Sequence, residues 1–467
     1  MGALTQANPV LPVTKAYLAA CQADPALLNV AARLEFPPEY ERSFGAIQLP
    51  RPIFMDSDQL EQLGADLYTL HNLLVSLPER AFDGDLDRYC AAINLEPPLA
   101  EVMRLHPTGD VPVYGRADAF HDGRRFRLLE YNLGSELGGR EVGQLNRSFL
   151  ADPVFARFSV QHRLEYHDPM LSLVEIFRRQ AAELGISDPV VGLVDGNGVL
   201  AGYEHLYTAV KEDLARHGIP VHIGEVRDVS FAGGKVRVHQ HPIDLLLRFF
   251  TAPEISYDAE SVATYKRLLD ADDSGAIRMV WTLEGALFNS KATLGLLHDP
   301  AVASRLEASE SELVERLLPW TRVLSPAGHP PADHAQVEAR SLSDQSNLVI
   351  KPGIGIGGKG TVIGSDVTRE VWLATLKQAV GTDWVVQERV RAQPEQVIDP
   401  TTDELQDWTA NWGAFVDQDG YRGAFVRALQ PAAGSIVAYA NPGTRGACVF
   451  GVPPTGTDRA DNNLERP

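Results

Sequence analysis

Basic residues are in short supply: 42 Lys and Arg face 62 Asp and Glu in 467 residues, a formal net charge of -20. A surface of that sign repels a phosphate backbone, which argues against nucleic acid as a partner. The same surplus would attract a cationic amine, but acidic surfaces also serve plain solubility, so charge names no substrate. Cysteine is nearly absent. Cys21, Cys90 and Cys448 are the three, and none lies in a C-x-x-C or Cys/His cluster, so zinc and redox patterns are missing and a reducing cytosol fits best. No apolar run approaches the roughly 18 residues that would span a bilayer. Residues 1–11 lack the basic flank and apolar core of a signal peptide, and Gln6 stands where a myristoylation signal after Gly2 needs Ser or Thr. The expectation is a cytoplasmic protein without a membrane anchor.

What is present is enough apolar material, 44% of residues, to bury a substantial core in two or three domains. Residues 1–110 read as a helical region, with Leu60, Leu63, Leu67, Leu70, Leu73 and Leu74 at helical spacing. Residues 111–188 open with two strand-like runs, 111–120 and 125–132, around the turn-forming His121, Asp122 and Gly123, and continue as helices. Residues 189–280 alternate strand, helix and strand, the pattern of a parallel α/β unit. The glycines and Asp195 at the end of its first strand read either as a ligand contact or as a tight turn. Residues 281–450 begin with an expected helix at 283–298 and a proline-rich connection at 319–337. A strand, a glycine-rich loop, a strand, a helix and a further strand follow. Residues 451–467 read as a flexible polar tail.

Five of the eight residues from Gly353 to Gly360 are glycine, which lets backbone N–H groups approach phosphate oxygens closely. Gly353, Gly355 and Gly358 match G-x-G-x-x-G, but Thr361-Val362-Ile363 is strand-like where a dinucleotide fingerprint must open a helix. A Walker loop fails too, because Gly360 stands where Ser or Thr should hold magnesium. The remaining reading is a hairpin lid over nucleotide phosphates, with Gly355, Gly357 and Gly358 in its bend and Lys351 at the exit of the first strand. A plain structural turn is the other reading. Lys291 alone would be a surface lysine, and Val386-Gln387-Glu388 reads either as an ordinary strand end or as a hinge for an adenine.

Magnesium takes hard oxygen ligands, and Glu130 and Asn132, two apart on a strand, share one face, as do Arg116 and Asp118. A strict two-residue turn would set the pairs on opposite faces, so a three-residue loop or a bulge is expected, placing Arg116 opposite Glu130. A solvated polar face is the competing reading.

Taken in order, Arg116-x-Asp118, Glu130-Tyr131-Asn132, Asn289-x-Lys291, Val349-Ile350-Lys351-Pro352, the glycine loop and Val386-Gln387-Glu388 make the chain resemble the circularly permuted ATP-grasp ligases, among them the synthetase domain of glutathionylspermidine synthase. In the unpermuted family the metal ligands follow the nucleotide lysines; here they precede them. The resemblance spans about residues 111–450. It implies an ATP-grasp fold, mixed α/β in permuted order behind an N-terminal helical layer, and an ATP- and Mg2+-dependent ligase joining a small-molecule carboxylate to an amine, peptide or polyamine included. It further implies Asp118, Glu130 and Asn132 as magnesium ligands, Lys291 and Lys351 as phosphate-binding lysines, Arg116 at the transferred phosphoryl group, and Gln387 and Glu388 beside the adenine. Lys359 departs from the family, which carries an acidic residue before the last glycine of the flap. The segment 133–141, with Glu136, Arg140 and Glu141, is expected at the acceptor site. Arg427 and Arg445 are candidates for a substrate carboxylate. The implied chemistry needs no covalent nucleophile, in keeping with the absence of a Ser/His/Asp or Cys/His set. A small-molecule kinase on the same scaffold and a nucleotide-binding protein without catalysis are the alternatives; oligomeric state is not legible.

Overall fold

Trp408, Ala410, Trp412 and Ala414 alternate with Thr409, Asn411 and Gly413, a period of two that gives one strand an apolar and a polar face. In the computed structural model, which describes residues 10–324, 333–355 and 357–454, that strand, Leu405–Asp417, lies within a seven-stranded sheet. The order is Ile53–Asp56, Arg445–Val452, Gly420–Leu429, Leu405–Asp417, Tyr114–His121, Phe126–Leu133, with Glu395–Ile398 paired separately to Leu405–Asp417. Ile53–Asp56 runs parallel to its neighbour, and the other pairs are antiparallel. This first strand lies inside the region read as helical. The N-terminal stretch read for targeting signals, the middle of the proline-rich connection, Ile356 and most of the expected tail lie outside the described residues.

Ala117, Ala119, Ala414, Val426 and Ala428 on the apolar face pack in one core with the helix Ser57–Phe82. The leucines expected as that helix's inner stripe, Leu60 through Leu74, are all buried. The close approach is made at Gly64, where an added Cβ would lie 2.3 Å from the backbone N of Tyr421.

The parallel unit forms as expected. Val221–Glu225, Val191–Asp195, Leu245–Arg248 and Arg278–Met279 lie side by side and parallel, with the helix Glu204–Arg216 between the first two in chain order. At the end of its first strand Asp195 is buried, accepting from the Gly196 N–H at 2.7 Å and from the Tyr207 hydroxyl. That segment is a turn.

A third, antiparallel sheet orders Thr321–Val323, Val385–Glu388, Leu348–Lys351 and Val362–Ile363. Its own small core, Leu348, Ile350, Val386, Trp372 and Leu376 among others, includes the helix Arg369–Ala379. Two expectations are corrected here. The proline-rich connection contains a strand, Thr321–Val323, and the helix His334–Ser343 begins within it. The helix expected over 283–298 is broken: a 3-10 turn, Leu283–Phe288, ends at Asn289, and Ser290 caps a new helix, Lys291–Leu296, by accepting from the Ala292 N–H at 3.2 Å. A capping serine offers the backbone a partner that competes with continuing the helix.

Gly64→Ala tests the contact between helix and sheet. Alanine would gain about 1 kcal/mol of helix propensity, but a Cβ forced against strand backbone costs about 1–3 kcal/mol in overpacking. A lower urea midpoint than wild type is the expected result; a higher one would show that the helix can move off the sheet.

Candidate functional site

The turn at the tip of the polar hairpin is longer than expected. Asp122 donates its N–H to the carbonyl of Arg125 at 3.0 Å, closing a four-residue turn. Three pairs further on, the register shifts by one between Asp118 and Ala119, leaving Leu129 as the extra residue. The two lengthenings together set Asp118 opposite Glu130 and Arg116 opposite Asn132. The expected pairing of Arg116 with Glu130 is therefore corrected by two residues along the strand, to Asn132. All four side chains nevertheless share the polar face, and Tyr131 and Leu133 turn to the core. A bulge also frees a carbonyl from the ladder. Leu129's accepts from Lys351 Nζ at 2.9 Å, which ties the small sheet to the large one.

The charges on this face are paired. Asp118 accepts from Arg116 Nε at 3.1 Å on one oxygen and from Arg427 on the other. Burial would raise its carboxyl, but Arg427 and Arg116 hold it down at about 2. Lys291 Nζ lies 2.7 Å from a Glu130 carboxylate oxygen. Arg116 also donates to the carbonyl of Gly138 at 2.8 Å, and Gly413 beneath it keeps the space open, since a Cβ there would lie 3.0 Å from the Arg116 Cδ. Lys351 is buried, and burial, together with the nearby Lys291, pulls its ammonium down to about 7 against the opposing pull of Glu130 and Asp118.

These groups line a cavity of about 720 Å³ between the two sheets, and all eleven site residues expected from sequence border it: Arg116, Asp118, Glu130, Asn132, Lys291, Lys351, Gly355, Gly357, Gly358, Gln387 and Glu388. Gly357 and Gly358 sit at φ of 63° and 75°, a region that suits glycine. The loop's start is held to the Lys291 helix, whose first N–H donates to the Gly353 carbonyl at 3.0 Å. Gln387 donates to the Thr321 hydroxyl at 2.9 Å, and Glu388 accepts from Arg340 at 3.1 Å. Of the segment expected at the acceptor site, Glu136 borders the cavity. Arg140 is buried and donates to the carbonyls of Leu137 and Ser135 and, at 2.6 Å, to the Tyr114 hydroxyl. Arg445 turns to the carbonyls of Pro442 and Thr444 at 3.1 Å each. Parts of the wall that sequence reasoning missed include Asn411, the segment Thr251 to Glu254, and the loop around Ile436 that faces the glycine loop. Asn411 alone left a signal, its place in the alternating strand.

Among the described residues no cluster of three or more His, Cys, Asp or Glu forms a metal cage. The oxygens at hand are two facing carboxylates and one amide, since the Asn132 Nδ2 donates to the Arg116 carbonyl at 3.3 Å and leaves its Oδ1 for a cation. Such a hard, all-oxygen set with few protein ligands suits magnesium.

Lys351 makes stability depend on pH. Its ammonium titrates near 7 in the folded chain and near its ordinary 10.5 in the unfolded one. Between those values the unfolded chain carries the extra proton, so this group's contribution rises with pH over that window and is constant below it. Urea midpoints of wild type and Lys351→Met from pH 6.5 to pH 10 are the check: the gap between them shifts in favour of wild type as pH rises. A constant gap would place an ordinary lysine there.

No family profile and no curated protein matches the chain. Among solved structures, a glutathione synthetase-like effector of Globodera pallida in its apo form aligns over 92% of this chain and 98% of its own, at TM-score 0.54 and 11% identity. A candidate gamma-glutamylcysteine synthetase of Methylobacillus flagellatus aligns over 83% and 88%, at TM-score 0.39 and 13% identity. Among the described residues no helix is long and apolar enough to cross a membrane. The likeness to the Globodera protein is one of fold: a mixed α/β architecture of several sheets and helical layers, consistent with an ATP-grasp-like fold.

Proposed function

We propose that the chain is an ATP-dependent, magnesium-using ligase that joins a carboxylate to an amine through an acyl phosphate, on an ATP-grasp scaffold in permuted order. The observation that carries this reading is the meeting of two carboxylates and an amide with two lysines and two arginines in one cavity bordered by a glycine-rich loop.

Asp118, Glu130 and Asn132 would hold magnesium, which supplies neutralisation of the β- and γ-phosphates. Lys291 and Lys351 oppose the remaining phosphate charge, and the backbone of Gly355, Gly357 and Gly358 offers N–H groups to the same oxygens. Gln387 and Glu388 flank the adenine. Arg116 steers the substrate carboxylate, whose oxygen attacks the γ-phosphorus as ADP leaves. The amine, arriving with a free electron pair, then displaces phosphate from the acyl carbon, and Arg116 stabilises the oxyanion formed on the way. Burial suits Lys351 to phosphate binding. An anion beside it restores its charge, so anion binding and proton uptake reinforce each other.

ADP release by the full chain with magnesium, over a panel of acids and amines, is the test. The expected outcome is release that needs both partners and falls by about a hundredfold or more in Lys351→Ala and Glu130→Ala, the scale on which single charge-stabilising groups act. ADP without any amine would replace this reading with a kinase; nucleotide binding without turnover of any pair would replace it with a binding protein.

A further inference from the structure

Two buried side-chain polar atoms without a hydrogen-bond partner belong to described residues that border the cavity: Asn411 Oδ1 and Arg427 Nε. Their residues are directly paired across adjacent strands. Asn411 is 8% exposed, and Arg427 is fixed in place because its other end holds Asp118. An unmet buried acceptor beside an unmet buried donor costs stability unless something in the cavity meets both. What meets both has an acceptor and a donor side by side. The surroundings set the charge of that partner: among the described residues of the cavity wall seven lysines and arginines outnumber five carboxylates, Glu136, Glu254 and Glu388 included, so the acceptor end is anionic.

We propose that Asn411 and Arg427 form a subsite for a carboxylate that carries a hydrogen-bond donor on its α-carbon, an α-amino or α-hydroxy acid. Arg427 donates from Nε to a carboxylate oxygen, and Asn411 accepts from the α-ammonium or α-hydroxyl. That this acid is the substrate to be activated rests on the ligase reading. The subsite lies on the side of Asp118 away from Glu130, since the strand bearing Asp118 separates the two. An acid held there has its carboxylate on Arg427, the residue whose other end holds Asp118. Asn411 is thus a specificity-determining residue.

L-Alanine, L-lactate and propionate differ only in the α-substituent, and their affinities for the full chain can be read from thermal-shift titrations. Alanine, lactate or both are expected to bind about tenfold more tightly than propionate, the scale of one hydrogen bond involving a charged group; the arm that binds names the donor. Asn411→Leu, close to isosteric, is expected to level the three affinities, and Asn411→Ser, which keeps an acceptor, to retain part of the preference. Binding of magnesium ADP, measured alongside, should be the same in wild type and both variants, which a merely structural role for Asn411 would not give. Equal affinity of wild type for all three acids, binding of none, or a preference that survives Asn411→Leu would each overturn the subsite. Wild type that prefers the α-substituted acids but binds no magnesium ADP would overturn the ligase reading and leave the subsite standing.

Discussion

The hydrogen bond from Lys351 to the carbonyl of Leu129 joins the two halves of the site, and it exists because the polar hairpin carries a bulge. Strand side chains alternate with a period of two, so one residue of slip exchanges the two faces of a strand. Without the extra residue at Leu129, Glu130 and Asn132 would point into the apolar core beneath the sheet, and Tyr131 and Leu133 into the cavity. The bulge therefore places two ligand-type oxygens and supplies the unpaired carbonyl that a buried ammonium needs. Lys351 in turn stands at the end of its strand, beside the glycine loop, so the same contact fixes how that loop lies over the large sheet.

Burying carboxylates and cations together costs several kcal/mol per ion before their attraction is counted, of order what a whole domain has to spare. The face tolerates this because each carboxylate is engaged: Asp118 between Arg116 and Arg427, Glu130 with Lys291. Those cations are the groups that an anionic nucleotide or acid would also attract. A divalent cation on the carboxylates and an anion on the lysines and arginines would replace the internal pairs as a set, since removing one partner alone strands a buried charge. The pairing needed for folding would thus favour joint binding of a cation and an anion over either alone.

How much of this was legible depended on whether a feature was set by its own segment or by its neighbours. The helix Ser57–Phe82 declared itself through a long leucine stripe, and the parallel unit through alternating strand and helix runs. The residues of the hairpin's polar face were legible as spaced pairs, because i and i+2 share a strand face whatever the partner strand does. Which pair faced which was not: the hairpin's register depends on a bulge whose freed carbonyl finds its partner, Lys351, more than two hundred residues away. Thr321–Val323 was hidden for a similar reason, since three residues at a sheet edge carry too little pattern to compete with the prolines beside them. Arg140 misled because a charged residue near a site suggests chemistry, whereas its guanidinium is consumed by the carbonyls of its own loop.

Asn411 marks the limit of such reading and what lies beyond it. Its strand alternates plainly, but polar residues on an alternating strand usually face water, and its burial follows only from the cavity having a second wall. That wall is assembled from segments outside its own sheet: the small antiparallel sheet, the glycine loop and the loop around Ile436. Arg116, Asp118, Glu130, Lys351 and Arg427 stand on strands and Lys291 at the start of a helix, where backbone pairing fixes them, and the glycine loop brings mostly backbone to the same space. Precise placement of charge needs rigid supports, and close approach to a polyanion needs the absence of side chains. A fold that sets a strand-borne charged face against a glycine-rich loop combines both features, and both were legible in the sequence as spacing.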